Sequence, residues 1–290
     1  MYAEALMTDP FVLSGFSDEI DTDIEVQLSH LQALGIRYFE PRTINGKSIS
    51  DLTDAEAAAL KARMDYYGIS ASSIGSPIGK IGISDNFDRH MELLTRTIRT
   101  AKILGTSYIR VFSFYIPDGE YTLFRDEVMR RMKVMTNLAA FEDVILLHEN
   151  EKGIYGDSAI RCREILDETN SKHLRAVFDP ANFIQCGQTT YPEAYNLMRP
   201  YIEYMHIKDA LPSGEVVPAG SGIGFVAEIL KSLKASGYEG FLSLEPHLGS
   251  FTGLSRLSQD DSRMLQEKEP SSAEKFDIAY HALKSILRQI

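Results

Sequence analysis

A chain of 290 residues, 44% of them hydrophobic, holds enough apolar material for one large domain or two small ones. Its net charge of −11 argues against a nucleic-acid partner, because phosphate binding needs a basic surface, and no run of about 18 apolar residues is present to span a membrane. The start, MYAEALMTDP, lacks the basic stretch and apolar core of a secretory signal, and Cys162 and Cys186 have neither metal-knuckle nor disulfide-framework spacing, so a reducing cytoplasm is the expected setting.

Short apolar runs alternate with amphipathic stretches along the whole chain. FVLSGF (11–16) reads as a strand, and DIEVQLSHLQALG (23–35) has helical periodicity that stops at Gly35. The pattern repeats with IRYFE (36–40) before a helix over 54–68, then ISASSIG (69–75) before a helix over 87–104. SYIRVFSF (107–114) precedes a helix of roughly 121–142, and VILLHE (144–149) precedes SAIRCREILDET (158–169). LRAVFDP (174–180) leads to the short helix YPEAYNLM (191–198), with Pro192 early in it, where proline is tolerated. IEYMHIKD (202–209) leads to FVAEILKSLKASG (225–237), and GFLSLEP (240–246) to a closing helix over 272–287. Strict alternation of eight strands and eight helices implies a parallel sheet closed into a (β/α)8 TIM barrel, as one domain over 1–290. A doubly wound open sheet is the rival, but the turn SGFSDEID after the first strand has no Gly-rich phosphate cradle. Two pieces stand outside the minimal barrel: an N-terminal extension (1–10) and a long polar connection after strand eight (248–272), of the kind that forms lids or interfaces. Oligomeric pairing through that connection is left open.

Active sites of such barrels sit at the carboxyl ends of the strands. Strand five ends at Glu149, strand six at Asp179 and strand eight at Glu245, while strand seven carries His206 near its end. Taken singly, a carboxylate there is ordinarily a loop residue or helix cap, and a lone histidine a satisfied core residue. Four such groups on four consecutive tips converge near the barrel axis. Three converging carboxylates repel unless a cation neutralises them or some stay protonated. The set therefore reads as a site for one divalent ion, Mn²⁺, Mg²⁺, Co²⁺ or Zn²⁺.

The segments LLHENE, VFDPANFIQCG, YMHIKD and FLSLEPH resemble the xylose isomerase-like TIM barrels, from about Phe11 to the C-terminus and most specifically from Val144 to His247. That superfamily includes sugar isomerases and epimerases, inosose dehydratases, hydroxypyruvate isomerases and, more distantly, type IV apurinic endonucleases. The resemblance implies Glu149, Asp179, His206 and Glu245 as metal ligands and the two glutamates as an acid–base pair acting on a small sugar or keto-sugar through an enediolate. Many members have a histidine three residues after the strand-six aspartate; here it is Asn182, which donates hydrogen bonds but is no base. A histidine-rich multi-metal cluster of the endonuclease kind is missing: of seven histidines, only His148, His206 and His247 lie near strand ends.

Around this set, Lys208 and His247 are candidate substrate contacts, each two residues beyond a ligand; their bland readings are a strand-end salt bridge and a partner that orders Glu245. Glu40 and Arg42, at the end of strand two, either bind substrate or pair with each other. His148 alternates with Glu149 and is expected to face the helices in a structural role, and Glu151 reads equally as a solvated loop charge. Lys80 could meet a phosphate, and Phe112 with Phe114 could wall a pocket. An inosose-type dehydratase shares the ligand set and first step but expels a β-hydroxyl, whereas a non-catalytic sugar-binding barrel predicts ligands that fail to converge.

Overall fold

The computed structural model of the chain describes residues 10–248 and 270–290. The expected N-terminal extension and most of the long connection after strand eight lie outside the described residues. Eight short parallel strands form the frame: β1 (Val12–Gly15), β2 (Tyr38–Phe39), β3 (Ser70–Ala71), β4 (Tyr108–Val111), β5 (Ile145–Glu149), β6 (Leu174–Phe178), β7 (Ile202–Ile207) and β8 (Phe241–Leu244). Six of them form one sheet in the order β1-β8-β7-β6-β5-β4, while β2 pairs with β3. Backbone bonds close the ring: Glu40 N–H donates to the Gly15 carbonyl at 2.9 Å, and the Ile74 carbonyl accepts from Arg110 N–H at 2.9 Å. The register sets Ser243 beside His206, and Val177 beside Glu149.

Helices cover the outside: α1 (Ile24–Ala33), α2 (Asp54–Tyr67), α3 (Phe87–Leu104), α4 (Tyr121–Phe141), α5 (Ala159–Thr169), α6 (Pro180–Gln185), α7 (Tyr195–Met198), α8 (Val226–Ala235) and α9 (Ser272–Leu287). Local chemistry explains their ends. Thr53 and Glu56 form a capping box at the start of α2, and Gly68 ends it at φ 65°, a left-handed conformation that glycine adopts without strain. Along α3, Leu94, Ile98 and Leu104 are at most 2% exposed, and burying each stabilises the outer layer by roughly 2 kcal/mol. Among the described residues, no helix is long and apolar enough to cross a membrane.

Three details depart from the expected elements. The fourth strand stops at Val111: the chain then leaves the ring, Phe112 N–H and Phe114 N–H bond to the carbonyls of Ile78 and Gly79, and Phe114 takes φ 68°. The helix expected over 191–198 is broken, because Tyr191 is extended (φ −136°, ψ 133°) and α7 proper begins at Tyr195. The additional helix α6 follows β6 directly, with Pro180 in its first turn and Asp179 as its cap.

Candidate metal centre and active site

Each tip residue reaches the barrel mouth from a different strand. Glu149 is the last residue of β5, His206 is the fifth of β7, and Asp179 and Glu245 directly follow β6 and β8. All four are at most 3% exposed. Each offers one ligand atom, and these atoms lie within 4.8 Å of one another. His206 Nδ1 faces the group, 3.0 Å from Glu149 Oε1, 3.4 Å from Glu245 Oε2 and 3.9 Å from Asp179 Oδ2. Asp179 is both cap and candidate ligand: Oδ1 accepts from Asn182 N–H at 2.9 Å, leaving Oδ2 for the centre.

The chain supplies its own cations here. Lys208 Nζ lies 2.9 Å from both Asp179 Oδ2 and Glu245 Oε2. Arg110, on β4, places Nη1 3.2 Å from Glu149 Oε2 and 4.0 Å from Glu245 Oε1. Its guanidinium sits 4.9 Å from the Phe16 ring centre and 5.0 Å from that of Phe112. Phe16 also meets His206 edge-on at 5.1 Å, so one ring floors both groups. Arg42 is 3.4 Å from Glu245 Oε1, but its main partners are Asp18 and Glu19, at 2.9 and 3.2 Å, and not Glu40.

These pairings set the charges. Burial opposes ionisation of Glu149, yet His206 and Arg110 outweigh it and hold its carboxyl down at about 2. Glu245 is likewise held well below the usual carboxylate range, with Lys208 and His206 overcoming burial. Asp179 goes the other way: burial, with Glu245 and Glu149 adding repulsion and Lys208 opposing, pushes it up to about 7. With no ion in place, His206 is held charged well above the ordinary histidine range, because Glu149 and Glu40 outweigh its burial; an ion at Nδ1 would take the place of that nitrogen's proton.

The remaining sequence candidates fall in different places. Asn182 donates to Glu149 Oε1 at 3.1 Å and to the Asn150 carbonyl at 3.0 Å, so it steadies one glutamate. His247 is exposed and pairs with Glu19 at 3.1 Å, with Glu245 Oε1 at 3.7 Å. Glu40 has no exposed surface and lies on the other edge of His206, 3.2 Å from Nε2. His148 is fully buried beside Gly156, and neither of its ring nitrogens has a hydrogen-bond partner among the described residues. Glu151 pairs with Lys80 at 2.9 Å, and Lys80 covers Phe112 at 4.3 Å. Phe114 packs instead on Phe87, 6.0 Å away, in the outer core.

Three contributors were missed in the sequence, although Asn150 and Asp209 stand at strand ends. Arg110 is a mid-strand residue. Asn150 clamps the tips of β5 and β6 by accepting from Asp179 N–H and donating to the Asp179 carbonyl, at 3.0 and 2.9 Å. Asp209, fully buried beyond Lys208, accepts from the backbone N–H groups of Ala210, Gly220, Gly222 and Gly224, fixing the glycine-rich loop beside β7.

The donor set suits a divalent ion on two counts. Three carboxylates and an imidazole match the hard-to-borderline divalent metals. Moreover, Glu149 Oε2 and Asp179 Oδ2 are buried oxygens whose near neighbours are cations, Arg110 Nη1 at 3.2 Å and Lys208 Nζ at 2.9 Å, as oxygens that could also face an ion.

No curated protein matches the chain. Solved structures do. An L-ribulose 3-epimerase superposes with a TM-score of 0.70 at 18% identity, covering 96% of this chain and 94% of that one. A xylose isomerase-like TIM barrel protein from Mycobacterium smegmatis, solved with magnesium, gives 0.69 at 16% identity over 97% of both chains. A probable 3-DHS dehydratase from Bacillus anthracis gives 0.65 at 17% identity, covering 81% of this chain and 92% of that one. At these identities the likeness speaks for the fold. The sequence itself matches the xylose isomerase-like TIM barrel family over residues 28–268, and the chain belongs to that family.

Proposed function

We propose that the chain is a divalent-metal-dependent isomerase or epimerase of a small sugar or keto-sugar, which moves a proton at the carbon next to a carbonyl. The observation that carries this reading is the convergence of Glu149, Asp179, His206 and Glu245 on one point of the barrel mouth. These four residues would hold the ion. When bound, the ion supplies Lewis-acid chemistry, polarising the substrate carbonyl so that the adjacent C–H becomes acidic.

The protein's own groups do the rest. One of Glu149 and Glu245 takes the proton from carbon, and the other returns a proton on the opposite face (epimerisation) or at the neighbouring carbon (isomerisation). Both carboxylates are held in place, Glu149 by Asn182 and Arg110 and Glu245 by Lys208, and the one that returns the proton first takes one up from solvent or from a substrate hydroxyl. Negative charge develops on the substrate as the enediolate forms, and the buried cations of Arg110 and Lys208, which flank the two glutamates, would stabilise it.

A dehydratase is the second reading. It shares the ligand set and the first proton abstraction, and one structurally similar protein is a probable dehydratase. One experiment tests both. The protein is loaded with Mn²⁺ and incubated with ketoses and inososes in D₂O, beside its Glu149→Gln and Glu245→Gln variants. Deuterium entering the substrate, lost in the variants, is the expected result; loss of water from the substrate points to the lyase. Exchange that persists in both variants, or a protein that binds no divalent ion, sinks the mechanism.

A further inference from the structure

Glu40 is a buried carboxylate that the proton-transfer scheme does not use. It has no exposed surface, and His206 is its ion-pair partner among the described residues, with Glu40 Oε2 3.2 Å from Nε2. The same oxygen accepts from Ser243 Oγ at 2.9 Å, while Oε1 accepts no hydrogen bond. An isolated buried carboxylate costs several kcal/mol, so this one persists only if its partner is held in return. The backbone also fixes it: Glu40 N–H is bonded to the Gly15 carbonyl, and Ser243 is the register neighbour of His206.

The two ring nitrogens therefore meet different company. Nδ1 faces Glu149, Glu245 and Asp179; Nε2 faces Glu40 alone. An imidazole ligates only through a nitrogen with a free lone pair, and the hydrogen bond at the other nitrogen decides which one that is. With the ring interposed, Glu40 stands on the wrong side to join the four ligand atoms.

We infer that Glu40 is a positioning residue for His206: it holds the proton on Nε2 and the plane of the ring, so that Nδ1 is presented to the ion. This rests on reading the four tip residues as metal ligands. Glu40 then belongs to the centre without touching substrate, and Ser243 orients Glu40.

The test is Mn²⁺ affinity, by calorimetry, of the full chain and its Glu40→Gln and Glu40→Ala variants, with urea stability of each metal-free protein alongside. Glu40→Gln, nearly isosteric, is expected to weaken binding about ten- to a hundredfold, and Glu40→Ala at least as much. Zn²⁺-loaded wild type, labelled at histidine nitrogen, is expected to show the His206 proton on Nε2. A purely structural role would lower metal-free stability yet leave the affinity of folded Glu40→Gln within about threefold of wild type, which overturns the inference. A proton on Nδ1 in the Zn²⁺ form overturns it too. A wild-type protein that binds no Mn²⁺ removes both this inference and the metal reading, whereas unchanged affinity in the variants removes this one alone.

Discussion

Replacing Asp209 by asparagine tests whether one carboxylate organises the loop beside β7. Its Oδ1 accepts from Ala210 N–H and Gly224 N–H, both at 2.8 Å, and Oδ2 accepts from Gly220 N–H and Gly222 N–H at 3.0 and 3.1 Å. Side chains are excluded from this nest, since a Cβ on Gly222 would lie 2.3 Å from both the Ala210 carbonyl oxygen and Asp209 Oδ1. Asparagine has one oxygen and one NH₂ group, so in either orientation two of the four N–H donors lose their acceptor and face another donor. A buried, stranded N–H costs roughly 1–3 kcal/mol, so two cost about 2–6. Removing a carboxylate whose pKa burial has raised offsets part of that. The expected net loss is about 3 kcal/mol, close to a hundredfold in an opening equilibrium. Hydrogen exchange at the Gly220 and Gly222 amides reads it locally and urea denaturation at pH 7 reads it globally. Unchanged protection of those amides, with stability within about 0.5 kcal/mol of wild type, would refute the clasp.

Glu245→Gln should weaken Mn²⁺ binding by about a hundredfold or more and abolish solvent exchange into substrate, while the chain still folds; calorimetry and the D₂O assay check this. Removing divalent ions with a chelator should stop exchange while lowering stability only by the binding term, about 2.7 kcal/mol when the free ion was at a hundred times Kd; a metal-free protein that unfolds outright contradicts that. His90 gives a pH test away from the centre. Its Nε2 accepts from Gly79 N–H at 2.7 Å, and burial with the Arg131 charge pushes its pKa down to about 4 from an ordinary 6.5. The unfolded chain therefore binds the proton first: stability is full above about pH 6.5 and falls by about 3 kcal/mol as pH drops toward 4. His90→Gln should flatten that slope in urea titrations between those pH values, and an unchanged slope would show that other groups carry it.

The barrel was legible because each strand is an apolar run bounded by turn residues, and each helix shows its own period. Boundaries were less so. Apolarity alone did not reveal that Phe112 and Phe114 leave the ring to bond the loop at Ile78 and Gly79, because a run buried against a loop reads like a run buried in a sheet. Six residues are too few for α6 to show a helical period, although aspartate–proline followed by asparagine is a start signature that could have found it. The four tip residues stood out because charge at the end of an apolar run is conspicuous. Arg110 did not, being inside the run, yet inward alternation along β4 would have marked it. Glu40 was visible only as a charge near a strand end; its place behind His206 depends on how β1 and β8 close the ring, which is a tertiary fact.

The charges of the centre also separate two demands that a metal site often merges. Glu149 has Arg110, Asp179 and Glu245 share Lys208, and Glu40 has His206. Left unpaired, four buried carboxylates would each cost several kcal/mol, a large part of the stability of any domain. With these partners, the barrel carries its own neutralising charge, and each partner comes from a strand other than the one bearing the carboxylate it serves: Arg110 from β4, His206 from β7 and Lys208 from just beyond it. If the centre holds an ion as proposed, these pairings predict that folding does not rest on it. On the proposed mechanism, the same fixed positive charge beside a forming enediolate would lower the barrier without reorganisation. On the proposed reaction, the residues that let the carboxylates be buried are also the ones placed to act on the substrate, which puts Arg110 and Lys208 with the glutamates.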